Sequence, residues 1–206
     1  MKWIEWARLL QGISQTGLHF TENQYDIERY EQIGVIAAEI LAEHTSLTVE
    51  ELIQLNKNEF GYATPKVDVR GIVFRDEKIL LVREIADAGK WTLPGGWADV
   101  NDTPTQAVVR EVLEESGFKT EVVKLLAVYD REQQKHTPPF PYSVYKLFFH
   151  CQIIGGQPQI NNEVSEIAFF GETEIPAELS TSRVTKSQLL RFFEFYQTPD
   201  LPTDFD

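Results

Sequence analysis

A short acidic helix that directly follows a glycine pair is the feature that most constrains this chain of 206 residues. The segment from Gly96 to Phe118 reads GWADVNDTPTQAVVREVLEESGF. Thr103 suits the N-cap position, Pro104 suits the first helical position, and Gln106 can complete a capping box with Thr103. Gly117 is a residue that commonly ends a helix. These local signals predict a helix from about 104 to 116.

The predicted helix concentrates its acidic residues at its C-terminal end. Glu111 and Glu115 are four residues apart and share a face, with Glu114 beside them and Arg110 four residues before Glu114. Carboxylates this close repel one another unless a cation lies among them, and the helix dipole disfavours acids at this end. The preceding turn, residues 94–96, could add a backbone carbonyl. The pattern indicates a site for a hard cation such as Mg²⁺, with an ordinary solvated charged helix as the alternative.

The first 64 residues are predicted to form a small helical domain. A third helix of this domain should start at Thr48, because Glu51 can complete a capping box there. A boundary is expected at Thr64–Pro65, since proline disfavours helix in the residue before it. Apolar residues recur at helical spacing in the first two segments: Trp3, Trp6, Leu10 and Ile13, then Tyr30, Ile33, Ala37, Ile40 and Leu41.

Residues 65–198 are predicted to form a mixed α/β domain, and residues 199–206 a frayed C-terminal tail. Gly155–Gly156 is interpreted as a hairpin turn. Alternating or apolar runs predict strands near 67–73, 79–82, 91–93, 121–129, 142–154 and 166–170, and a last helix is expected at about 185–196.

Charge and composition exclude several classes of partner. The formal net charge is −13, and within the first 60 residues four basic residues stand against ten acidic ones. This balance opposes binding to DNA or to an anionic membrane. The single cysteine, Cys151, excludes an internal disulfide. No apolar run approaches the length of a membrane span, so a soluble, cytoplasmic protein is expected.

The segment 96–118 resembles the signature box of the Nudix hydrolases, which is Gly, five residues, Glu, seven residues, then Arg-Glu-aliphatic-any-Glu-Glu-any-Gly-aliphatic. Asp102 departs from this pattern, because it stands where the family has Glu, and the shorter acid puts the geometry of a structural brace in question. The resemblance implies an α/β/α sandwich with a mixed sheet, preceded by the small helical domain. The matching positions are Gly96, Arg110, Glu111, Val112, Glu114, Glu115 and Gly117, with Phe118 last.

The resemblance also implies a reaction and a set of roles. Nudix enzymes hydrolyse a nucleoside diphosphate linked to another moiety, here expected to release a nucleoside monophosphate and a phosphorylated second product. Glu111 and Glu115 would be the principal Mg²⁺ ligands, with Mn²⁺ as a possible substitute. Glu114 would be a further ligand or water-bridged partner, and the carbonyl of Gly95 a backbone ligand. Arg110 would orient the glutamates.

The general base is expected outside the box, on a loop before a late strand. Glu163 is preferred over Glu166 there, with a solvated surface acid as the alternative for either. Substrate contacts are predicted for five further residues, each of which could instead be ordinary packing or surface. These are Trp97, Arg70, Arg83, Tyr129 and Arg131.

The N-terminal segment is similar to the extension of a Gram-positive Nudix subgroup that includes CDP-choline pyrophosphatases and is often labelled ADP-ribose pyrophosphatase. The similarity rests on the layout, the tryptophan-rich start and the run from Thr64 to Arg70. It implies a small-molecule nucleotide substrate, with CDP-choline first and ADP-ribose second, and a homodimer. The alternative is a non-catalytic nucleotide sensor or partner-binding regulator. The presence of the box glutamates Glu111, Glu114 and Glu115 favours the enzyme.

Overall fold

A computed structural model describes residues 2–206 and divides them into two compact units. One unit extends to Lys66 and includes Pro138–Ser143, and the other comprises Val67–Thr137 and Val144–Asp206. Within residues 2–206, no helix is long and apolar enough to cross a membrane.

The first unit is built from three helices, α1 (Lys2–Phe20), α2 (Gln24–Ala42) and α3 (Val49–Lys57). The capping box predicted for α3 is confirmed, because Glu51 N donates to Thr48 Oγ1 at 3.2 Å and Thr48 N donates to Glu51 Oε2 at 2.8 Å. Small and branched apolar side chains from all three helices form the core of the unit, namely Ile4, Ala7, Ala38, Leu41 and Leu52.

The second unit is built on a seven-stranded sheet in the order β3-β2-β1-β5-β4-β7, with β6 pairing with β2. The β1–β2, β2–β3, β2–β6 and β4–β5 pairs are antiparallel and the β4–β7 pair is parallel, so the predicted mixed sheet is confirmed. The strands are β1 (Lys66–Arg75), β2 (Lys78–Glu84), β3 (Lys90–Thr92), β4 (Phe118–Asp130), β5 (Val144–Gly156), β6 (Val164–Phe170) and β7 (Asp204–Phe205).

Two helices complete the predicted α/β/α sandwich. The helix α4 (Pro104–Ser116) has the predicted bounds and the predicted capping box. Its Val108 and Val112 share a buried cluster with residues of the sheet, while α5 (Lys186–Gln197) contributes to a separate cluster. The helix α4 comes so close to β1 that a Cβ placed on Gly71 would lie 2.3 Å from Val112 Cγ2. This close packing fixes the acidic helix on the sheet.

Two predictions about the chain after residue 150 are wrong. Gly155 and Gly156 are not a turn, because they pair with Lys119 and Phe118 as the last residues of β5. The tail is not frayed, since β7 adds to the sheet beside β4 and Asp204 binds Arg191 through two hydrogen bonds of 2.7 and 2.9 Å. Both differences arise because strand pairing and an ion pair order segments that lack strong local signals.

Candidate active site

The glycine turn before α4 is held against β1 by backbone hydrogen bonds on both sides. Gly71 N donates to Pro94 O at 2.9 Å, and Val69 N donates to Gly96 O at 2.8 Å. Gly95 lies between them with φ +141°, and a Cβ there would be 2.1 Å from Val69 O. Only glycine fits this position, because both the backbone angle and the close approach exclude a side chain.

Glu115 is buried directly against this turn. Its side chain accepts a hydrogen bond from Gly95 N at 2.8 Å, and the residue is only 7% exposed. Burial raises the pKa of Glu115 to about 7; the nearby Arg70 charge and the Gly95 hydrogen bond oppose the rise, and the carboxylates of Glu111 and Glu84 add to it. A buried acid with a perturbed pKa next to like charges is typical of a functional site.

Glu111 and Glu114 are bridged by Arg110. Arg110 Nη1 donates to Glu111 Oε1 at 2.8 Å and to Glu114 Oε2 at 3.0 Å, while Arg110 Nε donates to Asp102 Oδ2 at 3.1 Å. Arg110 Nη2 also lies 3.2 Å from Asp99 Oδ2. The shorter acid at position 102 therefore still reaches the arginine, and the brace is retained despite the departure from the family pattern.

The donor set of this region fits a divalent cation. Among residues 2–206, no three acidic, histidine or cysteine side chains converge into a complete metal cage. Mg²⁺ does not need one, because it keeps several waters and is commonly held by one or two carboxylates. Glu111 lies against the turn, since a Cβ on Gly96 would be 3.1 Å from Glu111 Oε2, and burial raises the pKa of Glu111 despite Arg110. The carboxylates of Glu111 and Glu115 thus place hard oxygen atoms of the kind that such a cation requires beside the glycine turn.

The two candidate bases have different surroundings. Glu166 lies on β6 opposite Arg83 of β2, and Arg83 Nη1 is 3.4 Å from Glu166 Oε2. Glu163 lies in the loop before β6, where its backbone N–H donates to Asn161 Oδ1 at 2.8 Å and its carbonyl accepts from Ile85 N at 2.8 Å. The backbone of Glu163 is therefore anchored on both sides, whereas the side chain of Glu166 is engaged by an arginine.

Arg70 is placed differently from the expectation of a substrate contact. It is buried, and its Nε and Nη2 donate to the two carboxylate oxygens of Asp68 at 2.9 and 2.8 Å, while Nη1 donates to Leu93 O at 3.1 Å. Lys146 Nζ donates to Asp68 Oδ1 at 2.6 Å. We call Asp68, Arg70 and Lys146 the buried ion triad. It ties β1 to Leu93, which follows β3 and leads into the glycine turn.

The other predicted substrate residues are dispersed. Trp97 is 46% exposed and forms a backbone bridge with Asp68 just after the turn. Arg83 donates to Gly89 O at 2.6 Å and pairs with Glu166. Tyr129 and Arg131 lie in the interior, which differs from the expectation. Tyr129 donates to Asp204 Oδ2 at 3.1 Å, and Arg131 Nη1 is 2.9 Å from Glu132 Oε1. Of the five predicted substrate residues, Trp97 and Arg70 lie at the glycine turn.

Sequence reasoning missed five residues near these groups, namely Asp68, Glu84, Lys146, Asn161 and Arg183. Glu84 Oε1 is 2.7 Å from Arg183, while its Oε2 is buried and has no hydrogen-bond partner within residues 2–206. Asn161 and Lys146 make the contacts described above. Each of these five residues lies outside the box, and its contacts depend on strand register and loop packing, for which the local sequence carries no signal.

Comparison with known proteins gives two domain matches. Residues 64–192, more than half of the chain, match the model of the NUDIX domain, and residues 1–55 match the model described as "UDP-X-like, N-terminal oligomerisation domain". A Bacillus subtilis protein named "Putative ADP-ribose pyrophosphatase YjhB" is 44% identical over 205 residues, which cover 100% of this chain and 97% of the relative.

Solved structures give a consistent result. A crystal structure of a UDP-X diphosphatase is 35% identical, with a TM-score of 0.64, and the match covers 100% of this chain and 98% of the other. An ADP-ribose pyrophosphatase from Streptococcus suis is 36% identical, with a TM-score of 0.63, over 69% of this chain and 100% of the other.

Proposed function

The chain belongs to the Nudix hydrolase family, and from this premise we propose that it uses Mg²⁺ to hydrolyse the diphosphate of a nucleoside diphosphate linked to another moiety. The products would be a nucleoside monophosphate and a phosphorylated second compound. The observation that carries the proposal is the buried carboxylate of Glu115, which accepts a hydrogen bond from the glycine turn. Glu111, which pairs with Arg110, lies on the same helix.

We assign the cation to Glu111, Glu115 and the carbonyl of Gly95, with Glu114 as a further or water-bridged ligand. Arg110 orients Glu111 and Glu114, because its guanidinium binds both carboxylates at once. When bound, the cation neutralises diphosphate charge and lowers the pKa of a coordinated water. Family membership and the complete set of box acids favour this enzyme over a non-catalytic sensor or partner-binding regulator.

We assign general-base catalysis to Glu163, with Glu166 as the alternative. The assignment is supported by the anchored backbone of Glu163 and by the ion pair that engages Glu166. Glu163→Gln should lower kcat by about 10²–10⁴-fold, the usual contribution of a positioned proton acceptor, while leaving the fold intact. Glu166→Gln is the matched variant. Near-normal turnover of Glu163→Gln alongside a large loss in Glu166→Gln would reverse the assignment.

The moiety that is linked to the nucleoside diphosphate can be identified by assaying a panel of substrates. CDP-choline is the first candidate from the N-terminal segment, while the names of two relatives favour ADP-ribose and that of a third favours UDP-linked compounds. Trp97 is the residue on the turn that can stack on a nucleobase or line its pocket. A panel of CDP-choline, ADP-ribose, a UDP-sugar and nucleoside triphosphates should be assayed with Mg²⁺ and with Mn²⁺. Turnover of triphosphates alone would refute the proposal.

We further propose that the chain forms a homodimer through its helical unit. One face of α1 carries four large apolar side chains at helical spacing, all well exposed: Trp3 (56%), Trp6 (47%), Leu9 (63%) and Ile13 (43%). An exposed apolar stripe of this size on a helix is typical of an interaction surface. The match of residues 1–55 to an oligomerisation domain supports this assignment.

Light scattering at micromolar concentration tests the dimer. The wild-type chain should have the mass of a dimer, and Leu9→Glu should have the mass of a monomer, because a charge in an apolar interface loses its hydration. Val123→Glu, at a 54% exposed apolar residue of β4, is the control and should stay dimeric. A monomeric wild-type chain would refute this assignment.

A further inference from the structure

Asn161 joins the loop that carries Glu163 to the end of the acidic helix. Its Nδ2 donates to Glu114 O at 2.6 Å, and its Oδ1 accepts the backbone N–H groups of Glu163 and Val164, each at 2.8 Å. We propose that Asn161 is a positioning residue that holds Glu163 in a fixed place relative to the acids of α4. This inference rests on the proposed role of Glu163 as the general base.

The helix side of the link uses carbonyl groups that a helix end leaves available. The last four carbonyl groups of an α-helix have no partner inside the helix. Two of those in α4 are taken by the loop, because Asn161 Nδ2 binds Glu114 O and Gln159 N donates to Ser116 O at 3.1 Å. Glu114 and its neighbour Glu115 carry the side chains assigned to the cation. The loop is thus attached to the same helical turn that carries these acids.

The loop side of the link fixes the backbone on which the Glu163 side chain is mounted. Asn161 N donates to Val164 O at 3.2 Å while Asn161 Oδ1 accepts two N–H groups, the kind of local turn that asparagine favours. Ile85 N holds the carbonyl of Glu163 at 2.8 Å. Both the N–H and the carbonyl of Glu163 are therefore bound, so movement of its side chain is limited to its own rotamers.

This fixed placement matters because proton transfer has a narrow distance range. A general base must come within about 2.6–3.2 Å of the atom whose proton it takes. A displacement of about 1 Å at a catalytic group costs roughly a hundredfold in rate. Asn161 is itself exposed, and the net contribution of an exposed hydrogen bond to the free energy of unfolding is small. Loss of the link should therefore affect turnover far more than folding.

Two substitutions separate the two halves of the link. Asn161→Ala removes all three side-chain hydrogen bonds. Asn161→Asp keeps the acceptor for the N–H groups of Glu163 and Val164, but it removes the donor to Glu114 O and places a carboxylate against that carbonyl. Asn162→Ala is the matched control, because it removes the neighbouring exposed asparagine of the same loop.

We expect Asn161→Ala and Asn161→Asp to lower kcat by roughly 10- to 100-fold, with KM and the affinity for Mn²⁺ unchanged, whereas Asn162→Ala behaves as wild type. Steady-state kinetics, Mn²⁺ titration and thermal unfolding provide these readouts. A merely structural role would lower the unfolding temperature without this selective loss of kcat. Should Asn161→Ala fail to fold, Asn161→Asp carries the test.

A double-mutant cycle with Glu163→Gln decides whether Asn161 acts through Glu163. If it does, Asn161→Ala should add no further loss of kcat to Glu163→Gln, because the group that it positions is already inactive. Two results would overturn the inference about Asn161 but leave the general-base assignment in place. One is that the losses of kcat in the two single variants add in the double variant. The other is an Asn161→Ala variant with wild-type kcat beside a defective Glu163→Gln. Wild-type turnover by Glu163→Gln would overturn the general-base assignment, and the inference with it.

Discussion

The buried ion triad should be far more sensitive to the loss of Asp68 than to the loss of Lys146. The side chains of Asp68, Arg70 and Lys146 are only 7%, 4% and 3% exposed. Although burial opposes it, the charges of Arg70 and Lys146 hold the pKa of Asp68 well below its usual range. The triad therefore contains two cations and one anion, and Asp68 is the only anion between them.

The two substitutions leave different charges in the interior. Asp68→Asn leaves Arg70 and Lys146 buried without their shared carboxylate, and removing one partner of a buried ion pair typically costs about 3–5 kcal/mol. Lys146→Met leaves the Asp68–Arg70 pair intact and electrically neutral, so it should cost only about 1–3 kcal/mol, the value of one charged hydrogen bond. Against a total stability of about 5–15 kcal/mol for a domain, the first loss is severe.

Urea unfolding of the two variants measures this difference directly. Asp68→Asn should shift the unfolding midpoint by a clearly larger amount than Lys146→Met, with little change in the slope of either curve. Thermal unfolding monitored by circular dichroism should rank the two variants in the same order. Equal shifts, or a larger shift for Lys146→Met, would refute the charge balance that we infer for the triad.

Three other predictions concern the acidic helix and its turn. The pKa of Glu115 is raised from 4.5 to about 7, so the metal-free protein should lose stability as pH rises from about 4.5 to 7. Glu115→Gln should remove that dependence. The same dependence of the unfolding temperature on pH in Glu115→Gln and in the wild type would contradict this. Gly95→Ala should lower the free energy of unfolding by at least about 1–3 kcal/mol and weaken Mn²⁺ binding, because the new Cβ would meet Val69 O. A variant with wild-type stability and wild-type Mn²⁺ affinity would disprove this prediction. Chelation by EDTA should abolish turnover without unfolding the chain, because Arg110 pairs with Glu111 and Glu114 while the raised pKa of Glu115 lets it take up a proton in place of the cation; unfolding on chelation would show that the cation is structural.

The acidic helix could be predicted from the sequence because its signals are local. The capping box at Thr103, the proline that follows and Gly117 specify its two ends within a few residues of the chain. The spacing of Glu111 and Glu115 then puts both carboxylates on one face. The turn before the helix is predicted in the same way, because residues 94–96, Pro-Gly-Gly, are turn residues by their local composition.

The surroundings of the helix could not be predicted, because they depend on contacts between distant parts of the chain. Lys146 meets Asp68 across 78 residues, and this pairing requires β5 to lie beside β1. The sequence alone predicts that Arg70 contacts substrate. It does not reveal that Asp68, two residues earlier, accepts two hydrogen bonds from the Arg70 guanidinium. The ordered tail has the same origin, because Asp204 depends on Arg191 and Tyr129 for its place.

The distribution of cations explains how a chain can crowd carboxylates on one helix and still fold before any metal binds. Arg110, which is itself half-buried, compensates Glu111 and Glu114 by binding both carboxylates. Glu115 is buried, and its pKa is raised to about 7 because burial outweighs the charge of the nearby Arg70, so a proton can take the place of the cation there. Arg110 and a proton on Glu115 thus reduce the repulsion that a metal would otherwise have to relieve. The cation that we propose here would add to a site that is already formed, and its binding energy would be available for the substrate's diphosphate rather than for folding.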